Sequence, residues 1–192
     1  SKREISRVQG LGEKSPTVLH NLLTSRFVAE TILAVGAVPV KTKVGHSLIK
    51  DQMAETSAVF GGEHSAHYYF REFWGADNGM LAAMHLISEL GHTSRPMSEI
   101  AASYTPYFAS GEINSKVTDA KAATKRVELE LGEASSEIFD GVTFSFEDQK
   151  IWWWCNIRES NTEPLLRLNV ESNSSEVMQS VTARALAAIA GP

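Results

Sequence analysis

One cysteine, Cys155, occurs in 192 residues, so no disulfide can form within the chain. That scarcity is expected of a protein from a reducing, cytoplasmic compartment. No apolar run approaches the roughly 20 residues needed to cross a bilayer as a helix. The opening stretch, SKREISRVQG, carries charge where a secretory leader would carry an apolar core. Positive charge is in deficit: 18 Lys and Arg stand against 23 Asp and Glu, a net charge of -5. Such a chain has no overall electrostatic footprint for nucleic acid, so neither nucleic acid nor a membrane is an expected partner. A local basic cluster could still hold a small anion, because the field in a cleft is set locally. Internal repeats and low-complexity tracts are also lacking. What remains is an ordinary globular composition, 43% hydrophobic and 21% charged, long enough for one large or two small domains with a buried core.

The first half alternates strand and helix signals. Residues 17–23 read as a buried strand and 25–36 as a helix, with Phe27, Val28, Ile32 and Val35 in helical rhythm and Gly36 at its end. Residues 37–44 alternate apolar and polar as a half-buried strand. A short helix over 46–54 and a short strand over 57–60 follow, the latter ending at Gly61 and Gly62. Asp77 or Asn78 can cap a helix over 79–90 that Gly91 closes, and a further helix fits 96–104. After a break near 105–116 the pattern changes to a strand (111–117), a helix (118–131), three strands (141–147, 151–157, 165–171) and a last helix (175–190). Asn173 and Glu176 are spaced as a capping box for that helix, and Asp148-Gln149 supplies a tight turn. The expected fold class is therefore α/β plus α+β. Residues 1–110 should form a mixed-sheet α/β domain with flanking helices. Residues 111–192 should form a small domain with an antiparallel sheet and helices on one face.

Two loops carry candidate chemistry. Arg158-Glu159-Ser160-Asn161-Thr162-Glu163-Pro164 joins two strands and offers a guanidinium, two hydroxyls, an amide and backbone N–H groups, the donor set a phosphate needs. Arg167, in the next strand, could add charge from a neighbouring rung. The competing reading is a polar hairpin loop with surface arginines. Gly61-Gly62-Glu63-His64-Ser65-Ala66-His67 follows a short strand. If it is extended, Glu63, Ser65 and His67 face one way, and a carboxylate beside a hydroxyl suits vicinal sugar hydroxyls. Alternatively these residues cap a local turn. A metal site from Glu63, His64 and His67 lacks the HExxH spacing, and Ser65 is in no GxSxG elbow. Lys41, Lys43, His46, Lys50 and Arg71 are weaker anion candidates. The Trp152-Trp153-Trp154 run reads as strand packing, with stacking of a sugar on Trp153 as the alternative.

Three segments in this order, VGHSLIK (44–50), GGEHSAHYYF (61–70) and RESNTEP (158–164), together with ADNGM (76–80), resemble the phosphomannomutase/phosphoglucomutase family of α-D-phosphohexomutases. The resemblance runs over essentially the whole chain and points to the third and fourth of that family's four domains. It implies that Glu63 and Ser65 contact sugar hydroxyls, that His67 and His46 line the same site, and that Arg158, Ser160, Asn161 and Thr162, aided by Arg167, grip a phosphate. It implies hexose phosphates as ligands and interconversion of hexose 1-phosphate and 6-phosphate through a bisphosphate. The family's catalytic serine and Mg²⁺-binding loop have no counterpart in this sequence. The chain alone is therefore expected to be inactive, to carry no metal, and to partner N-terminal domains of a longer protein that bind the Mg²⁺. A stand-alone sugar-phosphate binding module is the alternative. Ala66 departs from a common family glycine and should be tolerated if φ there is negative.

Overall fold

The computed structural model describes residues 1–160 and 163–191. The chain divides into two compact units, Ser1–Thr105 and Pro106–Pro192. The division falls earlier than the expected 110/111, because a short strand at Phe108–Ala109 already pairs with the second unit's sheet.

The first unit is built on a mixed sheet. Strand β1 (Thr17–Asn21) runs parallel to β2 (Val38–Thr42) on one side and to β3 (Phe60–Gly62) on the other. Antiparallel β4 (Tyr68–Phe70) and β5 (Ala76–Asp77) extend the sheet beyond β3. Successive side chains of a strand point to opposite faces, and β1 uses both. Val18 joins Ile5, Val8, Ile32, Ala37 and Val59 in one cluster, whereas Leu19 joins Ile49, Met53, Ala58 and Tyr69 in another. Helices α1 (Lys2–Gly10) and α2 (Arg26–Ala34) thus cover one face, and α3 (His46–Thr56) covers the other.

Local chemistry explains most boundaries. The Ser25 hydroxyl accepts the Phe27 N–H at the start of α2, and the chain leaves the helix through Gly36 N–H to Leu33 C=O and Ala37 N–H to Ile32 C=O, a Schellman exit. Helix α3 runs on to Thr56 and ends with Ser57 in the left-handed region. The strand expected at 57–60 therefore starts only at Phe60. Asn78, not Asp77, caps α4 (Gly79–Gly91), its side chain accepting the Leu81 N–H. His92, not a left-handed glycine, follows that helix. Helix α4 buries none of its residues and leaves Met80, Met84 and Ile87 exposed. Helix α5 (Met97–Ala102) completes the unit.

The second unit is an antiparallel sheet in the order β6-β11-β10-β9-β8, with β7 also paired to β11. The strands are β6 (Phe108–Ala109), β7 (Ile113–Lys116), β8 (Ser135–Ile138), β9 (Val142–Glu147), β10 (Trp152–Glu159) and β11 (Leu165–Ser172). Helices α6 (Ala120–Glu130) and α7 (Ser175–Ala190) pack on one face, where Ala123, Val127, Val181, Ala185 and Ile189 meet Trp153, Cys155 and Ile157 of β10 and Leu166, Leu168 and Val170 of β11. Trp153 is thus a core residue, stacked on Phe146, which removes it as a sugar platform. The Asp148 carboxylate accepts the Lys150 and Ile151 N–H groups and holds the β9–β10 turn. Ser174, rather than Asn173, caps α7 by accepting the Val177 N–H. Asn173 is instead spent on the sheet, accepting from Trp152 N–H and donating to Lys150 C=O.

Candidate functional site

In the first unit the segment 63–67 is a tight turn between β3 and β4, not an extended run. Glu63 N–H donates to His67 C=O and Ala66 N–H to Glu63 C=O, closing it. Glu63, Ser65 and His67 therefore do not share one face. Glu63 turns inward and is 5% exposed, whereas Ser65 stays exposed at the tip. The turn holds Ala66 at φ +65, so the negative φ under which an alanine there would be tolerated without strain is not met. A left-handed L-residue costs roughly 1–2 kcal/mol, while glycine costs some unfolded-state entropy. Ala66→Gly should accordingly raise stability by roughly 0.5–1 kcal/mol, measured as a rise in the urea midpoint; an unchanged or lowered midpoint would contradict the strained turn.

The turn and the start of α3 are joined by a short hydrogen-bonded chain. The Tyr69 hydroxyl donates to Glu63 Oε2 at 2.8 Å and meets His46 Nδ1 at 2.6 Å. Glu63 Oε1 accepts the Gly45 N–H at 3.3 Å, which ties the Gly-His turn to the same carboxylate. Burial, helped by the Glu63 carboxylate, pushes the Tyr69 phenol well above its ordinary range. Beside this chain, the His67 ring meets that of His46 edge-on at 4.2 Å between centroids. His67 Nδ1 lies 2.9 Å from Asp77 Oδ2, while Asp77 Oδ1 accepts the Tyr68 N–H. Burial works to raise the Asp77 carboxyl, but the hydrogen bonds from His67 and Tyr68, with the two imidazoles nearby, outweigh it and hold it below the usual range. Of the sequence candidates, His46, Glu63 and His67 are brought together here; they are joined by Tyr69, which no sequence signal marks, and by Asp77, which the sequence offers only as a possible helix cap.

Among the described residues, Glu63, His64 and His67 do not form a ligand cluster. The grouping close enough for one is His46, His67 and Asp77, with ligand atoms within 4.8 Å of one another. Arg71 is engaged by the Glu13 carboxylate at 2.7 Å and by Ser57 C=O, so it braces the edge of the unit.

In the second unit Arg158 and Arg167 stand directly opposite each other across β10 and β11, on the same rung rather than neighbouring ones. Like charges so placed repel. Glu112, just before β7, resolves this by accepting from both: Oε2 from Arg158 Nη2 at 3.2 Å and Oε1 from Arg167 Nη1 at 3.1 Å. Arg167 Nη2 also donates to Ser160 Oγ at 3.2 Å. Both Nε atoms are buried and have no partner among the described residues. Two guanidiniums thus share one carboxylate, and the cluster keeps a net positive charge with donors to spare, which suits a further anion. Asn161 and Thr162, the other expected phosphate contacts, lie outside the described residues. Glu112 escaped sequence reasoning because it lies 46 residues from Arg158 and belongs to no local motif.

Two family models divide the chain between them: the α/β/α domain III of phosphoglucomutase/phosphomannomutase matches residues 3–107, and the C-terminal domain of the same enzymes matches residues 112–188. The chain belongs to the phosphoglucomutase/phosphomannomutase family. It is 40% identical to a phosphohexose mutase of Xanthomonas campestris over 84% of its own length and 36% of that protein's. It is 38% identical to the phosphomannomutase of Salmonella typhimurium over 92% of this chain and 39% of the relative. It thus spans well under half the length of these phosphohexomutases and corresponds to their third and C-terminal domains. A crystal structure of a family protein from Burkholderia thailandensis superposes with a TM-score of 0.77 at 24% identity, covering 97% of this chain and 40% of that one, and shows the shared fold. The N-acetylphosphoglucosamine mutase of Aspergillus fumigatus, solved with GlcNAc-6P and magnesium, superposes at a TM-score of 0.62 and 13% identity, covering 97% of this chain and 41% of that one.

Proposed function

We propose that this chain is the substrate-recognising part of a phosphohexomutase that interconverts hexose 1-phosphate and hexose 6-phosphate by intramolecular phosphoryl transfer. In this reading the β3–β4 turn of the first unit meets sugar hydroxyls, and the Arg158–Arg167 pair of the second unit meets the phosphate that is not transferred. The observation that carries the reading is the arginine pair: two guanidiniums on one rung that share, among the described residues, the one Glu112 carboxylate and so keep a net positive charge. His46 and His67, with the Glu63 carboxylate beside them, supply acceptors to which the hydroxyls of a sugar can donate.

Phosphoryl transfer itself rests on positioning and on stabilising charge at the transferring group. The residues present would perform the positioning half. Mg²⁺ takes near-octahedral oxygen ligands. The His46–His67–Asp77 grouping is dominated by nitrogen and does not fit it, so no step is derived through a metal on these residues.

Titration of the isotope-labelled chain with glucose 6-phosphate, followed by backbone amide shifts, tests the proposal. Saturable shifts at Glu63–His67 and at Arg158–Ser160 are expected. Shifts confined to Arg158–Ser160 would leave an anion site without sugar recognition and defeat the sugar half of the reading. No shifts in either segment would count against both halves.

A further inference from the structure

We propose that Tyr69 is a positioning residue that sets which nitrogen of His46 carries the proton, and so makes His46 a reader of sugar hydroxyls rather than of phosphate. The proposal rests on the sugar-recognition reading above for its ligand, but not for its geometry.

Tyr69 is fully buried, its ring packed among Leu19, Ile49, Met53 and Ala58. Its hydroxyl is the meeting point of two elements that are far apart in sequence, the start of α3 and the β3–β4 turn. A phenol has one proton to give. The partner that takes it is Glu63 Oε2, a buried carboxylate oxygen 2.8 Å away. Burial and the same carboxylate hold the phenol proton in place, since they raise its pKa. The Tyr69 oxygen can then only accept from His46, 2.6 Å away at Nδ1. Nδ1 must therefore be the protonated nitrogen, and a neutral imidazole keeps its lone pair on Nε2.

That lone pair decides what His46 can recognise. A hydroxyl of a sugar can donate to Nε2. The oxygens of a phosphate dianion, which only accept, cannot pair with it. The neighbouring imidazole is held in the same sense: Asp77, kept in its charged form, accepts from His67 Nδ1 at 2.9 Å, which leaves the His67 lone pair on Nε2 as well. Two adjacent imidazoles thus present acceptors, each fixed through its Nδ1 by a carboxylate, directly for His67 and through Tyr69 for His46. This is the device by which an outer partner orients a histidine and chooses its tautomer.

Two-bond proton–nitrogen spectra of the ¹⁵N-histidine-labelled chain at about pH 8.5, where imidazoles are neutral, test this directly, with the His46 signals assigned by their loss in His46→Gln. In the wild type His46 should show a protonated Nδ1 and a bare Nε2. In Tyr69→Phe, which keeps the buried ring, His46 should lose that preference while His67 keeps its own, and glucose 6-phosphate should bind about tenfold more weakly, by loss of an interaction worth about 1.4 kcal/mol. A wild-type His46 protonated at Nε2 would overturn the proposal, as would a tautomer unchanged in Tyr69→Phe. Should that variant not fold, the wild type still decides: a low-field Nδ1–H of His46 with a nuclear Overhauser contact to the Tyr69 ring is required, and its absence defeats the idea. If His46 behaves as stated but the wild type binds no sugar phosphate, the sugar reading fails and the positioning role stands.

Discussion

Gly141→Ala should unfold the second unit or leave it barely folded, with a loss of about 4 kcal/mol or more, at the severe end of single substitutions. Gly141 sits at φ +73 immediately before β9. A Cβ placed there would lie 2.1 Å from the Ile157 carbonyl oxygen, 2.6 Å from Arg158 Cβ and 2.8 Å from Arg158 Cα. The contacts are with backbone and with the root of a side chain, so no rotamer change relieves them. The left-handed φ adds its own penalty for any L-residue. The only relief is to open β10 from β9 where Val142 pairs with Ile157, which is where Arg158 is anchored. Urea unfolding followed by near-ultraviolet dichroism of the Trp152–Trp154 run measures the loss. A midpoint within about 1 kcal/mol of wild type would mean that the approach of the two backbones is not as tight as described.

Arg158→Ala is expected to weaken binding of inorganic phosphate and of glucose 6-phosphate by about 30- to 100-fold, because hydrogen bonds to charged groups contribute about 1.5–3 kcal/mol each. Glu112→Gln should act in the opposite direction and tighten phosphate binding about tenfold, since it removes a negative charge from beside the incoming anion while leaving an acceptor for the arginines. The two changes touch one cluster and predict opposite signs, so a general loosening of the sheet cannot mimic both. Calorimetric titration of each variant gives the answer. Phosphate affinity unaffected by Arg158→Ala would remove this rung as the phosphate grip. Weaker binding in Glu112→Gln would mean that the carboxylate serves the anion by holding the arginines apart, rather than by competing with it.

Much of the scaffold was legible in the residues. The rhythm of Phe27, Val28 and Ile32 with Gly36 beyond it marks α2, because one side of that helix packs on the core, whereas β10 is marked by an apolar run, since both of its faces are buried, Trp152 and Asn156 as well as Trp153, Cys155 and Ile157. Helix α1 was not legible. Its charged residues mask a stripe reduced to Ile5 and Val8, and its order comes from packing on the sheet. Strands β4 and β5 are too short to show a period, and every residue of β8 is exposed. The loops with candidate chemistry were visible as concentrations of polar side chains, but their wiring was not. Nothing local to Tyr69 says that its hydroxyl lies against His46, and Glu112 falls in the strand expected over 111–117 with nothing to mark it as the partner of two arginines. Ala66 shows the same limit at the level of one dihedral: the residue type argues for a negative φ, and the closure of the turn overrides it.

The single thiol offers a way to watch the second unit breathe. Cys155 lies at the centre of its core, fully buried, with its pKa pushed up to about 12 by that burial. Neither a thiol reagent nor its own ionisation can reach it while β10 stays paired with β9 and β11, so any modification must pass through an opened sheet. The rate at which an aromatic disulfide labels this chain is thus a clock for the opening of the strands that carry Arg158 and Arg167, already installed and needing no engineered probe.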